Sequence, residues 1–177
     1  MRAEFYDHWL GPDVWRDGAV DLAALTAVLG FLRTEGEAYE RVVARGGRLA
    51  AEWSVASMSP GRRRLVTWLP VRLRTRAALR TAAHVVRALT SAREVRTRVR
   101  RRVAEVRVTA SVFCAVRDRA PRPLCGFHLA AAVETFRQFG LPATGRVERC
   151  HAMDRDGCLL LVTLSSAQDD AQPAIAA

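Results

Sequence analysis

The fold of this chain is decided by two segments, SVFCAVRDRAPRPLCGFH (111–128) and VERCHAMDRDGCLLLVTL (147–164). In the first, the proline at 121 ends an extended run, and a helix with an apolar stripe follows over 123–139. In the second, two apolar stretches flank residues 154–157, Asp-Arg-Asp-Gly, which are typical of a turn. The order predicts a helix followed by a closing β-hairpin.

An earlier hairpin is predicted by alternation of valine and arginine over 95–100 and of valine and polar residues over 106–112. Before it, apolar residues recur at helical spacing in several segments between residues 21 and 89. We therefore predict an α+β fold. Its N-terminal helices pack on an antiparallel four-stranded sheet that is interrupted by one helix.

Two local features of the second predicted helix bear on its start and its middle. Thr34 and Glu37 have the spacing of a capping box. Gly46 and Gly47 interrupt the helical stripe, and each costs roughly 1 kcal/mol relative to alanine in a helix. The glycine pair indicates either a kink or a place where a ligand or another backbone comes close.

Length and composition fit one domain. The chain has 177 residues, and half of them are hydrophobic, which is enough for a core. We expect residues 1–165 to form a single ligand-binding type of domain and residues 166–177 to be a disordered tail. No apolar window is long enough to span a membrane, and the first residues lack the apolar region of a signal peptide. A cytoplasmic location is expected.

The basic residues are all arginine, 28 of them, and the net charge is +10. The absence of lysine is typical of a GC-rich bacterial genome, but the charge is also local, because residues 60–107 contain fifteen arginines and two acids. Four of these arginines fall on one helical face: Arg72, Arg76, Arg80 and Arg87. This face is either simply solvated or makes weak contacts with an anionic surface. No motif for sequence-specific nucleic-acid binding is present.

The cysteines are the strongest chemical signal in the sequence. Cys125, Cys150 and Cys158 each stand where a loop meets a helix or strand, so they could surround one metal ion, and such structural sites need four ligands. Glu148 is the first candidate for the fourth ligand, since strand alternation places it on the side of Cys150. Alternatively, the cysteines are reduced and pack as small hydrophobic residues. Cys114 is expected in the core, outside this set.

The pattern S-x-F-C-x-V-R, then P-L-C-G-F, a glycine-bounded helix and C-x7-C before an apolar strand resembles the vinyl-4-reductase domain. That family is related to small ligand-binding subunits of the TRAPP vesicle-tethering complex and to aromatic-sensing domains of some bacterial transcription activators. The resemblance implies structural zinc, held by three cysteines and an acid three residues before the second of them. This chain has Val147 there, so Glu148, His151 and Asp154 all remain candidates.

The resemblance also implies a homodimer and an apolar cavity between the helices and the sheet. We expect the dimer to bury part of residues 1–33, where Trp9 and Trp15 lie. Five large side chains could line the cavity, although each could equally be plain core: Trp53, Trp68, Phe113, Phe127 and Phe136.

The predicted function is the binding of a small hydrophobic molecule (aromatic, lipid or tetrapyrrole-like) by a sensor or carrier domain. One alternative is a dimeric interaction module without a ligand. The other, implied by the family name, is an accessory factor in (bacterio)chlorophyll vinyl reduction. We expect no catalytic residue. The sequence has no Ser-His-Asp set and no dinucleotide or phosphate-binding glycine motif, and Cys150 and His151, adjacent on a strand, would point to opposite faces.

Overall fold

The computed structural model describes residues 22–88, 95–109, 111–116, 118–154 and 156–165. The aromatic N-terminal segment with Trp9 and Trp15, and the tail after residue 165, lie outside the described residues. The predictions made for them are therefore untested.

The described residues form six α-helices and one four-stranded antiparallel sheet, which confirms the predicted fold class. The helices are α1 (Leu22–Arg33), α2 (Glu37–Ala56), α3 (Pro60–Trp68), α4 (Val71–Ala88), α5 (Gly126–Gln138) and α6 (His151–Asp154). The strands are β1 (Val95–Arg100), β2 (Val103–Val108), β3 (Ala143–Arg149) and β4 (Cys158–Leu164), in the spatial order β1-β2-β4-β3. None of the described helices is long and apolar enough to cross a membrane.

Helix α5 is the centre of the molecule. It packs against α2 and α4 on one side and against β3 and β4 on the other. Its buried residues include Phe136, and the inward residues Leu160 and Val162 of β4 belong to the same core. The helix that was predicted to interrupt the sheet therefore lies between the other helices and the sheet.

Gly47 allows α2 and α5 to come unusually close. A Cβ atom at this position would collide with the carbonyl oxygen of Phe127 and would lie 3.0 Å from the backbone nitrogen of Ala131. Helix α2 continues through Gly46 and Gly47 without a break. Of the two interpretations of the glycine pair, close approach of another backbone is therefore the one that the structure supports.

The predicted capping box at the start of α2 is wrong. Gly36, with a φ of 58°, precedes the helix, and no side-chain hydrogen bond caps it. The Thr34 hydroxyl instead donates to the carbonyl oxygen of Phe31 at 2.7 Å, at the end of α1. The reason is the short connection, because the left-handed glycine turns the chain directly from one helix into the next.

The β1–β2 hairpin has a turn of only two residues. Arg100 pairs with Val103, which leaves Arg101 and Arg102 at the tip. Arg101 has a φ of 54°, in the left-handed region that favours glycine or asparagine. An arginine is therefore held in an unfavourable backbone conformation at the tip.

Two segments differ from the predicted strands. After β2, residues Val112–Cys114 form a 3₁₀ turn, and the hydroxyl of Ser111 accepts a hydrogen bond from the Phe113 backbone nitrogen. Between β3 and β4, the short helix α6 occupies four of the seven residues, 151–157, that separate Cys150 from Cys158. The pairing of β3 with β4 also shifts between Val147 and Arg149, so Glu148 is the extra residue of a β-bulge.

Candidate functional site

Four buried cysteines meet at one end of the sheet. Cys114 ends the 3₁₀ turn, Cys125 directly precedes α5, Cys150 follows β3, and Cys158 begins β4. Their Sγ atoms all lie within 4.8 Å of one another, and all four thiols are free. The structure thus brings together the three cysteines that the sequence singled out and adds a fourth.

The expectation that Cys114 lies outside this set is wrong. Its Sγ atom lies 3.5 Å from the Sγ atoms of both Cys150 and Cys158. The sheet explains why Cys114 belongs to the cluster. Val108 of β2 pairs with Cys158, so the chain leaving β2 passes the same end of the sheet. The sequence predicted two hairpins but not which strands pair between them.

Glu148, the predicted fourth ligand, does not join the cluster. Its exposed carboxylate accepts a hydrogen bond from the Nε atom of Arg146 at 3.0 Å. Because Glu148 sits in the bulge, simple alternation does not place it on the side of Cys150. His151 contributes through its backbone, since its N–H donates to the Sγ atom of Cys158 at 3.4 Å.

The cysteine cluster is electrostatically uneven. Hydrogen bonds from Cys114, Cys125 and Cys158 lower the pKa of the Cys150 thiol, helped by the Leu124 backbone N–H, which donates to its Sγ atom at 3.4 Å. The corresponding contacts with Cys114, Cys150 and Cys158, together with burial, raise the pKa of Cys125. Hydrogen bonds from Cys114 and Cys125 lower the pKa of the Cys158 thiol as well, so negative charge is favoured on the two sulfurs that flank the β3–β4 connection.

The donor set fits a tetrahedral metal ion. Zinc–sulfur bonds of about 2.3 Å imply sulfur–sulfur separations of about 3.8 Å, close to those in the cluster. Four thiolates and no open position are typical of structural rather than catalytic sites. The backbone N–H groups of Leu124 and His151, directed at two of the sulfurs, are the outer contacts that such sites use.

A buried histidine that sequence reasoning missed lies near the cluster. His128 has no exposed surface, and its Nε2 atom lies 2.6 Å from the Oγ atom of Ser111. Burial lowers the pKa of His128 to about 4, so the imidazole is neutral at pH 7. Its ring stands edge-on to Phe113 and Phe127, and its Nδ1 atom has no partner among the described residues.

The structure does not bring all five predicted cavity-lining residues together. Phe113 and Phe127 stack with their ring centroids 4.6 Å apart, and both belong to the buried core, as does Phe136. Trp53 is 44% exposed and Trp68 is 84% exposed, so both lie at the surface. The three phenylalanines are packed in the hydrophobic core, which is the alternative that the sequence had left open for them.

A cleft of about 1160 Å³ lies elsewhere, between α4, the edge strand β1, the β1–β2 turn and the chain that follows α5. Its apolar lining comes from five residues: Val71, Leu79, Val99, Leu141 and Leu164. Its polar lining is dominated by seven arginines: Arg72, Arg74, Arg76, Arg80, Arg98, Arg101 and Arg102. Three of the four arginines predicted to share a face are here. Arg87 instead donates to the carbonyl oxygen of Val95 at 3.2 Å.

A second cleft, of about 530 Å³, lies between the first half of α2, α5 and β3. Tyr39, Val43 and Val147 are among its lining residues. Burial raises the pKa of Tyr39 to about 12, and its hydroxyl donates to the carbonyl oxygen of Leu124 at 2.9 Å. This tyrosine is therefore a neutral packing residue.

No protein-family model matches the chain, and no curated protein matches its sequence. Among solved structures, it is similar to the phenol-responsive sensory domain of the transcription activator PoxR, crystallised with phenol. The similarity has a TM-score of 0.51 at 17% sequence identity and covers 87% of this chain and 83% of that one. The chain therefore shares its fold with an aromatic-sensing domain of a transcription activator.

Proposed function

We propose that this chain is a cytoplasmic sensor or carrier domain that binds a small, largely apolar molecule in the cleft between α4 and the edge of the sheet. The observation that carries the proposal is the cleft itself. Its volume, about 1160 Å³, slightly exceeds the range in which most ligand pockets fall, roughly 300–1,000 Å³, so a small molecule has room to bind. Most of its apolar lining is supplied by regular elements, α4, β1 and β4, and Leu141 comes from the connection between α5 and β3.

The shared fold with a phenol-responsive sensory domain supports a binding role rather than a catalytic one. The described residues add to that support. The neutral pair His128–Ser111 lies fully inside the core, and neither residue lines the cleft. None of the described groups with a shifted pKa lines this cleft.

Zinc held by Cys114, Cys125, Cys150 and Cys158 completes the proposal. Bound there, it would join the 3₁₀ turn, the start of α5 and both ends of the β3–β4 connection. Without a cation, repulsion between neighbouring thiolates opposes the ionisation of more than one of the four thiols. A bound zinc ion would compensate this negative charge.

A homodimer is the remaining part of the proposal. Helix α1 presents Val28 and Phe31 to solvent, with Phe31 69% exposed, whereas Leu29 on its other face is buried. A second copy of the chain would cover this apolar face. Sedimentation showing a monomer at tens of micromolar would exclude a stable dimer.

Ligand binding is tested with a neutral apolar dye, Nile red, and a variant that fills the cleft. In Val99→Trp, a half-buried valine of β1 gains bulk inside the cleft, and dye binding should fall by at least about tenfold. The matched control is Val147→Trp, a half-buried valine of β3 that lines the second cleft. If dye binding is unchanged in Val99→Trp but is lost in Val147→Trp, the binding site is the second cleft. A protein that binds no dye would contradict the proposal.

A further inference from the structure

The arginines of the α4–β1 cleft stand on two facing walls. Arg72, Arg76 and Arg80 are spaced four residues apart along α4, so they share one helical face. Opposite them, Arg98 lies on β1, and Arg101 and Arg102 lie in the hairpin turn. Between the two walls are apolar side chains. Cationic walls around an apolar floor form an amphipathic cleft.

The charge of these walls is not neutralised by any of the residues that the structure describes. No aspartate or glutamate is among the described residues that line the cleft, and none of its arginines forms an ion pair with a described carboxylate. Some arginines outside the cleft do have a carboxylate partner, since Arg122 pairs with Glu40 and Arg146 pairs with Glu148, each at 3.0 Å. The cleft brings together seven arginines that have no such partner among the described residues.

Arg74 adds a polar group below the rim. One of its terminal nitrogens donates to the carbonyl oxygen of Thr67 at 3.1 Å, which fixes the guanidinium. Its Nε atom is buried and has no hydrogen-bond partner among the described residues. A buried donor without an acceptor is costly, so this N–H is a position at which an acceptor oxygen would be stabilising.

Arg101 is the second unusual residue. Among the described residues, it is the only one other than glycine with a positive φ. Glycine or asparagine would occupy this turn position with less strain. Strained backbone of this kind persists where a side chain is needed for something other than stability.

We propose that the ligand of this cleft is a small amphipathic acid, an apolar body that carries one carboxylate or phosphate group. This inference rests on the proposed function, because it names the class of molecule that the same cleft binds. A neutral aromatic ligand would leave the arginines without a counter-charge. A polyanion would contact the rim and leave the apolar floor uncovered. An amphipathic acid would contact both the arginines and the apolar floor, since arginine binds carboxylate and phosphate groups in bidentate geometry.

The test compares ligands of equal chain length and different head group. Dissolved decanoate, decyl phosphate and decanol are each titrated against Nile red bound to the whole chain. We expect both acids to displace the dye at concentrations at least about tenfold lower than decanol. Acetate, which has the head group without the body, should not displace it.

The arginine dependence is tested with paired variants. Arg101→Gly and the double variant Arg98→Gln/Arg102→Gln should each raise the decanoate concentration needed by about fivefold or more, with decanol unaffected. Arg149→Gln removes one exposed charge from β3, outside the cleft. This variant should leave the displacing concentrations of decanoate and decanol unchanged. Folding is verified by the melting temperature, which Arg101→Gly should preserve or raise.

The outcomes separate the two proposals. Decanol as effective as decanoate overturns the acid ligand and leaves apolar binding intact. Equal weakening by Arg149→Gln overturns it as well, because the effect would then be one of net charge. Heparin or anionic vesicles that bind while dissolved decanoate displaces nothing would assign the arginines to a polyanion or a membrane surface. Failure of Nile red itself to bind contradicts the proposed function.

Discussion

The cysteine cluster and the arginine cleft lie at opposite ends of the same strand. Cys158 begins β4 and Leu164 ends it, and six residue steps of a strand span about 20 Å. At the cysteine end, the four sulfur atoms are buried, and they contact one another and the backbone N–H groups of Leu124 and His151. At the arginine end, most of the guanidinium groups are exposed and have no carboxylate partner among the described residues. The contrast is the one expected if the first region stabilises the fold and the second binds the ligand proposed above.

The largest effect should come from breaking the buried end. Cys114→Ser should release the metal and lower the free energy of unfolding by about 3 kcal/mol or more, because a structural zinc site contributes directly to folding. Metal content by elemental analysis and unfolding in urea measure both effects. Glu148→Ala is the control and should retain the metal. Metal loss in Glu148→Ala but not in Cys114→Ser would restore the ligand set that the sequence favoured.

A smaller effect is expected at the crossing of α2 and α5, which holds the buried region in place. Gly47→Ala should lower stability by about 2–3 kcal/mol, since its new methyl group meets backbone atoms that cannot rotate away. Its neighbour is the control. In Gly46→Ala the new atom lies 3.6 Å from the Phe127 ring, an ordinary contact, so stability should stay or rise slightly. Equal responses of the two variants in urea unfolding would argue against the close crossing.

The buried histidine should make this region sensitive to acid. The folded-state pKa of His128 is about 4, below its ordinary value of 6.5. Between these values the unfolded chain binds more protons than the folded one, so the contribution is complete above pH 6.5 and is lost as the pH falls towards 4. From pH 7 to pH 5 the wild type should lose about 2 kcal/mol more than His128→Gln. If the wild type and His128→Gln lose the same unfolding free energy between pH 7 and pH 5, the pKa of His128 does not differ between the folded and unfolded states.

The smallest effect is expected at the exposed end, where the change should be favourable. Arg101→Gly removes the strain of a left-handed arginine and should raise the free energy of unfolding by up to about 1 kcal/mol. Arg102→Gly provides the comparison, because Arg102 has no positive φ and its replacement should be neutral or mildly destabilising. A loss of stability in Arg101→Gly would show that the side chain contributes to the fold itself.

The sequence predicted the elements well because their signals are local. The alternation over 95–100 and the apolar stripe of the helix predicted over 123–139 could be recognised without knowledge of distant residues. The candidate site needed such knowledge. A bulge at Glu148 and a 3₁₀ turn at Cys114 change which side chains meet, and neither has a reliable local signal. The positions of the large aromatic residues also depend on distant parts of the chain. Trp68 ends a short helix that has no buried residue, so its side chain is exposed.

The crossing at Gly47 also restricts how this sequence can change over evolution. The position lies inside a helix, where glycine is one of the least favourable residues, yet any side chain there would strike the carbonyl oxygen of Phe127. Gly46, one residue away, is under no such restriction. Relatives that keep this helix pair should therefore be recognisable by an invariant glycine followed, some eighty residues later, by the start of a second helix, even where the cysteines and the arginines have been replaced.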